Sequence, residues 1–258
     1  MPEREEALKI LLKKCSKKYK DKNISKTKYN CLDRGNENSN VKEYSMCYNK
    51  NIPKLKDFCG PDWVFYYWPS ANIHSFEKTK KEIIKCSSQK PQINKIGWYG
   101  NIYSPLKDVI EHKTRPLLKR IGDKHSDLFD IIHIPPNDIN DKNPNYLSLQ
   151  DLVIKYKYLL DIGGNGYSGR LKFLLFSKRP ILYVDRNYIE YFQDDLKPYQ
   201  HYIPVKMDLS DLLEQVKWMQ NNEKKCEEIA NNAFEFAIKN FSEEKLLERI
   251  YQVYKNLQ

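Results

Sequence analysis

The stretch KYKYLLDIGGNGYSGRLKFLLFSKRPILYVD, residues 155–185, decides the fold of this chain. Residues 155–162, KYKYLLDI, are interpreted as a buried strand. The turn GGNGYSG, residues 163–169, leads into RLKFLLFSK, a helical segment, and PILYVD, residues 180–185, provides a second strand. This order of strand, helix and strand predicts a βαβ unit and therefore a parallel sheet.

The rest of the chain extends this pattern in both directions. An amphipathic helix opens the chain, with Leu8, Leu11, Leu12 and Cys15 on one face. Further strands are predicted at 95–100, 128–134 and 201–205. Further helices are predicted at 75–85, 106–121 and 187–192, followed by three amphipathic helices that close the chain. Alternating strands and helices predict an α/β fold with a parallel sheet covered on both faces.

The turn-rich segment PPNDINDKNPN, residues 135–145, predicts a boundary between two units. Residues 1–145 are expected to form an N-terminal, acceptor-side lobe. Residues 146–258 are expected to form a C-terminal lobe that carries the binding loop and the terminal helices.

Gly164, Gly166 and Gly169 form a G-x-G-x-x-G pattern between a strand and a helix, and Asp185 ends the next strand. Glycines allow the backbone to approach a phosphate without a Cβ clash, and free N–H groups at a helix start favour an anion. The pattern leaves three ligands open: a dinucleotide, S-adenosylmethionine and a nucleotide-sugar.

Ser168 and Arg170 lie at the start of the predicted helix. A guanidinium offers a planar, permanently charged fork that pairs bidentately with phosphate oxygens. S-adenosylmethionine has no diphosphate to neutralise. Arg170 therefore favours a ligand that carries a diphosphate.

The two runs at 155–184 and 188–212 resemble the C-terminal half of glycosyltransferase family 90, the protein O-glucosyltransferase and capsule xylosyltransferase group. Upstream, LKDFCGPDWVFYYWPSA, residues 55–71, and IGWYGNIYSP, residues 96–105, are similar to two further segments of that family. The resemblance covers about residues 30–240. It implies a GT-B-like architecture of two Rossmann-like lobes with a reduced N-terminal lobe, a UDP-sugar donor, and inversion without a bound metal or cofactor.

The resemblance also implies a donor-binding set and a base. The implied donor-binding residues are Asn101, Arg115, Gly164, Asn165, Gly166, Tyr167, Ser168, Gly169, Arg170 and Glu190. The implied catalytic base is Asp33, because Asn30-Cys31-Leu32-Asp33 matches the family's N-x-R-D segment with leucine in place of arginine. Asp33 also lies in a turn-like stretch, where Asp commonly bonds the local backbone.

Five aromatic residues fall within residues 63–68, and they are equally compatible with a sugar-facing wall and with packing between lobes. No D-x-D metal motif lies beside the glycine turn. The segment Asp138-Ile139-Asn140-Asp141 is interpreted as surface, so no divalent ion is expected.

Composition and charge narrow the classes of protein to which this chain can belong. The chain has 258 residues with 44 Lys plus Arg and 34 Asp plus Glu, a formal charge of +10. No apolar run is long enough for a membrane span, and the first 20 residues lack the apolar block of a signal peptide, so a cytoplasmic location is expected. The six cysteines show no zinc-ligand spacing, and no nucleic-acid-binding signature accompanies the positive charge.

These observations predict an inverting, metal-independent glycosyltransferase that moves xylose or glucose from a UDP-sugar to a hydroxyl of a glycan or glycoprotein. Small viral relatives of xylosyltransferase type make UDP-xylose a reasonable donor. Two alternatives stay open: an S-adenosylmethionine-dependent methyltransferase, and a non-catalytic basic module that binds glycan or nucleic acid.

Overall fold

A computed structural model describes residues 2–35, 37–38, 40–103, 110–139 and 143–258 of the chain. Its strands are β1 (Tyr29–Asn30), β2 (Tyr44–Ser45), β3 (Tyr48–Asn49), β4 (Ile93–Gly100), β5 (Phe129–His133), β6 (Tyr156–Asp161), β7 (Ile181–Val184), β8 (Tyr188–Ile189) and β9 (Ile203–Val205). Its α-helices are α1 (Pro2–Tyr19), α2 (Phe76–Ser87), α3 (Ile110–Lys124), α4 (Leu149–Lys155), α5 (Leu171–Leu174), α6 (Leu212–Asn221), α7 (Glu223–Asn240) and α8 (Glu243–Asn256). Short 3-10 turns connect several of them.

A five-stranded parallel sheet in the order β5-β4-β6-β7-β9 forms the centre of the fold. This sheet confirms the predicted α/β class. The chain builds β4 first, adds β5 on one side of it, and then places β6 on the other side. The order of the strands therefore reverses between β4 and β6, and the carboxyl ends of these two strands form the switch point where open α/β sheets bind ligands.

The sheet is buried on both faces because side chains along β6 alternate between two hydrophobic cores. Tyr158 and Leu160 join the core that includes residues of α3 and α6. Leu159, which lies between them, joins the larger core, which includes residues of α1, α2, α4 and α8. This two-residue alternation is the geometry of any strand, and here it places helices on both faces of the sheet.

Most predicted elements occur where the sequence placed them. The buried face of α1 contains Leu8, Leu11, Leu12 and Cys15, as the spacing predicted. Ser242 caps α8 by accepting a hydrogen bond from the Lys245 N–H at 3.3 Å. The part of the helix predicted at 106–121 that precedes residue 110 lies outside the described residues.

Two local predictions were wrong. Residues 187–192 were expected to be helical, but Tyr188 and Ile189 form β8, which pairs with β3 in antiparallel orientation. The helix predicted from Arg170 is only the four-residue α5, followed by a 3-10 turn that ends at Lys178 with a φ of 50°.

The predicted boundary at residues 145/146 is also corrected, because β4 and β5 pair in the same sheet as the strands that follow it. A parallel sheet cannot be divided there without exposing the strands of its centre. Among the described residues that precede β4, the structure has helices, 3-10 turns and two-residue strands only.

The N-terminal segment, defined here as the described residues before α2, is attached through its backbone to the Rossmann-like unit, defined here as the five-stranded parallel sheet with the helices that cover it. Arg249 of α8 donates to the carbonyl oxygens of Lys56 and Cys59 at 2.5 and 2.7 Å. No helix in the described part of the chain is long and apolar enough to cross a membrane.

Candidate anion-binding site at the switch point

The glycine loop, defined here as residues 163–170, follows β6 directly and lies at the switch point. Asn101 follows β4 and lies beside the same gap between strands. The site is therefore built from the residues that leave the two strands where the strand order reverses.

Arg115 of α3 connects the two sides of this gap. Its Nε donates to the Gly163 carbonyl and its NH1 donates to the Asn101 carbonyl, both at 2.8 Å. Burial, together with the like charges of Arg170 and Arg186, lowers the pKa of Arg115 to about 10, while Asp161 opposes this effect. The structure thus brings together Arg115 and Asn101, which the resemblance had placed in the same site.

Arg170, the last residue of the glycine loop, reaches back to β4. Its NH1 donates to the Tyr99 carbonyl at 2.8 Å, and its guanidinium carbon lies 4.4 Å from the centre of the Tyr99 ring. The centre of the Trp98 ring lies 5.9 Å from the guanidinium carbon of Arg170 and 5.5 Å from that of Arg115. Both guanidinium groups therefore lie close to the same aromatic ring. Aromatic rings attract cations through their negative faces.

Neither Arg115 nor Arg170 pairs with a carboxylate within the described residues; both use backbone carbonyls instead. Carbonyl acceptors orient a guanidinium but leave its positive charge uncompensated. Two such charges at one switch point form an electrostatic site for a multiply charged anion.

Ser168 has a different role from the one predicted. Its Oγ donates to the Asp161 carboxylate at 2.6 Å, and Arg186 pairs with the same carboxylate. All three side chains are buried. Because the hydroxyl proton of Ser168 is already donated, the side chain holds the loop in place and is not free to donate to a phosphate.

The short α5 also changes the expectation for its N-terminus. A helix of four residues aligns few peptide dipoles, so it contributes less positive potential than the predicted longer helix would. The arginines, rather than the helix start, therefore supply most of the positive charge.

The middle of the glycine loop contacts the N-terminal segment. The Tyr167 N–H donates to the Asp33 carbonyl at 3.3 Å, and Arg34 Nε donates to the Asn165 carbonyl at 3.2 Å. A Cβ on Gly166 would lie 1.8 Å from the Asp33 oxygen, so only glycine permits this contact. Asp33, more than 130 positions upstream, is therefore next to the loop.

The carboxylate of Asp33 accepts a hydrogen bond from Arg4 at 2.5 Å, and its side chain is 26% exposed. Arg4 in turn lies 5.3 Å from the centre of the Trp63 ring. Sequence analysis missed Arg4, because nothing in a basic opening helix distinguishes one cation from its neighbours.

At Gly164 and Gly169, too, a Cβ would come close to neighbouring side chains. A Cβ on Gly164 would lie 3.2 Å from Arg115 NH2, and one on Gly169 would lie 3.1 Å from the Trp68 ring. Trp63 and Phe65 are buried in the core, whereas Trp68 is half-buried beside the loop. The aromatic segment thus packs between elements and also borders the site.

Glu190 does not belong to the surface of this site, which corrects the predicted contact with ribose. Its side chain is buried and pairs with Lys172 Nζ at 2.8 Å. Burial raises the pKa of Glu190 to about 8; the Lys172 charge opposes this shift, and the Asp62 charge adds to it.

No group of three or more metal-ligating His, Cys, Asp or Glu side chains occurs among the described residues. Asn140 and Asp141, part of the segment interpreted as surface, lie outside those residues.

The fold and the site define an α/β protein with two arginine side chains, Arg115 and Arg170, at a topological switch point. Comparison with known proteins makes this specific: the Glycosyl transferase family 90 profile matches residues 22–257. The chain belongs to this family. That membership confirms the family suggested by the sequence and disfavours the methyltransferase alternative.

Three relatives illustrate the similarity. Protein O-glucosyltransferase 1 of Rattus norvegicus is 26% identical over 205 residues, which is 70% of this chain and 48% of that protein. Protein O-glucosyltransferase 3 of Homo sapiens is 40% identical over 76 residues, 30% of this chain and 15% of that protein. An uncharacterized protein 179R of Invertebrate iridescent virus 6 is 38% identical over 101 residues, 36% of this chain and 8% of that protein.

The chain spans about half, or less, of the length of these relatives. Among solved structures, the crystal structure of TarM aligns with a TM-score of 0.44 and 20% identity, over 66% of this chain and 36% of TarM.

We predict that Glu190 makes the stability of the protein depend on pH. A carboxyl with a folded pKa near 8 and an ordinary unfolded pKa holds its proton longer in the folded state. Its contribution to the free energy of unfolding therefore falls as the pH rises from about 4.5 to about 8, by on the order of a few kcal/mol. Glu190→Gln should make this fall smaller, as measured by urea unfolding at pH 5, 6, 7 and 8.

The matched control is Glu214→Gln, a change of the same kind at an exposed position on α6. Its stability curve should run parallel to that of the wild type. A Glu190→Gln curve that also runs parallel would contradict the prediction.

Proposed function

We propose that this protein is an inverting, metal-independent glycosyltransferase that moves xylose or glucose from a UDP-sugar to a hydroxyl of a glycan or glycoprotein acceptor. The observation that carries the proposal is the pair of arginines at the switch point, Arg115 and Arg170, which have no carboxylate partner within the described residues. A diphosphate is an anion of suitable charge for two guanidinium groups.

The main chemical demand in such a transfer is stabilisation of the leaving group. As the bond between the anomeric carbon and the β-phosphate oxygen breaks, its electron pair remains on UDP and the negative charge of the diphosphate grows. Arg170 and Arg115 are already oriented by backbone carbonyls, so little reorganisation accompanies the reaction. The two guanidinium groups would thus stabilise the charge of the leaving group, a role that a divalent ion fills in other transferases.

Asp33 is the proposed base. Its Oδ1 pairs with Arg4, and we assign to Oδ2 the removal of the proton from the acceptor hydroxyl. The acceptor oxygen then forms the new bond to the anomeric carbon as UDP leaves from the opposite face, which inverts that carbon. The contact between the Asp33 backbone and the glycine loop supports this assignment, because it keeps the carboxylate and the donor site in the same region.

The donor sugar is proposed from similarity. The name protein O-glucosyltransferase of two relatives favours glucose and a protein-linked acceptor. The resemblance to small xylosyltransferases favours xylose, which lacks only the CH₂OH group of glucose. Assays of UDP-glucose and UDP-xylose hydrolysis with one preparation of the protein distinguish the two.

Thermal unfolding with separate ligands tests the proposed donor class. We expect UDP to stabilise the protein, by about 2.7 kcal/mol at 100 times its dissociation constant. S-adenosylmethionine, NAD and single-stranded RNA should have no effect. Stabilisation by single-stranded RNA and not by UDP would favour the alternative, a basic binding module, and repetition with EDTA tests independence from metal ions.

Arg170→Ala should lower turnover at saturating donor by about one to two orders of magnitude. Charge-assisted hydrogen bonds contribute roughly 1.5–3 kcal/mol each, and this is the energy that the variant removes from the transition state. Initial rates of UDP release measure the effect. Arg120→Ala, at an exposed position of α3, is the matched control and should keep wild-type turnover; an Arg170→Ala variant as active as this control would exclude the assignment.

Asp33→Asn should abolish sugar transfer while UDP binding stays close to that of the wild type. The amide keeps the shape of the side chain but cannot take the proton of the acceptor hydroxyl. Transfer is followed by product analysis and UDP affinity by calorimetry. Retained transfer by this variant would assign the base to another residue.

A further inference from the structure

A buried cluster of one amine and two carboxyl groups lies behind the glycine loop, on the side away from solvent. Lys172 Nζ is 3.2 Å from Asp62 Oδ2 and 2.8 Å from Glu190 Oε1. None of the three side chains is more than 1% exposed. This cluster has no part in the proposed chemistry, so its position needs another explanation.

The cluster joins three separate segments of the chain. Asp62 precedes the 3-10 turn Trp63–Phe65 of the N-terminal part, Lys172 belongs to α5, and Glu190 follows β8. The Lys172 ammonium lies between two carboxyl groups and is stable only while all three segments stay in place, because removing its charged partner leaves an uncompensated buried charge.

The cluster bonds the glycine loop at two points. Lys172 Nζ donates to the Gly169 carbonyl at 3.2 Å, and the Tyr167 hydroxyl donates to Asp62 Oδ2 at 2.9 Å. Tyr167 and Gly169 flank Ser168, and Arg170 comes directly after Gly169. The backbone that leads into Arg170 is therefore held from the interior of the protein.

The stability of the buried Asp62 carboxylate depends strongly on these hydrogen bonds. Its Oδ1 is buried and accepts no hydrogen bond from the described residues. Its Oδ2 therefore receives both donors, Tyr167 and Lys172. A buried carboxylate that loses one of two donors is considerably less stable, so the Tyr167 hydroxyl is a strong constraint on the loop.

We propose that Asp62, Lys172 and Tyr167 are positioning residues for the glycine loop and for Arg170. All three side chains are buried, at 0%, 0% and 7% exposure, so they act through the loop and not by contact with a substrate. The consequence for donor binding rests on the proposed function, but the effect on the loop does not.

Tyr167→Phe tests this role, because it removes one hydroxyl and leaves all the buried charges paired. Lys172→Met is less suitable, since two buried carboxylates would lose their cation and the chain would fail to fold. The matched control is Tyr156→Phe: Tyr156 is fully buried at the start of β6, the end of that strand away from the glycine loop, and its hydroxyl donates to the carboxylate of Asp130 on β5.

Two measurements are made on both variants and on the wild type. Hydrogen–deuterium exchange reports the opening of peptides that cover residues 163–170. Steady-state kinetics gives KM and kcat for the UDP-sugar. Tyr167→Phe should increase exchange in the loop and raise the donor KM about tenfold, as expected for a lost hydrogen bond to a buried charge. Tyr156→Phe should lower the melting temperature without either effect.

The proposal is overturned if Tyr167→Phe leaves loop exchange unchanged, if it raises exchange but not the donor KM, or if Tyr156→Phe changes both to the same extent. A wild-type protein that neither binds UDP nor transfers sugar would refute the proposed function. In that case the exchange comparison alone decides the positioning role.

Discussion

The structure depends on how the gap between β4 and β6 is closed. Reversal of the strand order leaves the carboxyl ends of these strands without a common connection, and Arg115 spans them by donating to the carbonyl oxygens of Gly163 and Asn101. Arg170 makes a similar bond to Tyr99. These interactions hold the site together, yet they leave its charge uncompensated, and the same feature that orders the switch point makes it attractive to an anion.

The other charged side chains around the loop are paired with groups of opposite charge. Arg186 pairs with Asp161, and Lys172 pairs with Asp62 and Glu190, in each case out of contact with solvent. Paired buried charges contribute little net stability but penalise any rearrangement, because each rearranged state contains an unpaired ion. The compensated charges thus favour one conformation of the loop, beside which Arg115 and Arg170 have no carboxylate partner in the described part of the chain.

The small N-terminal part contributes to the site through backbone contacts. Asp33 meets Gly166 and Tyr167, and the absence of a Cβ at Gly166 is the condition for that approach. The segment is held in turn by α8 through Arg249. The contact of Asp33 with the glycine loop thus belongs to a segment that also rests on α8.

The sequence by itself determined the elements whose signals are local. Apolar runs placed the strands, helical periodicity placed α1 and α2, and the glycine pattern placed the loop with Arg170 at its end, because backbone geometry depends on near neighbours. It could not determine that Ser168 donates to Asp161, that Glu190 is buried against Lys172, or that β4 and β5 join strands beyond residue 145. Only the tertiary structure decided these points, because the energy of a buried charge or an unpaired strand depends on partners that are distant along the chain.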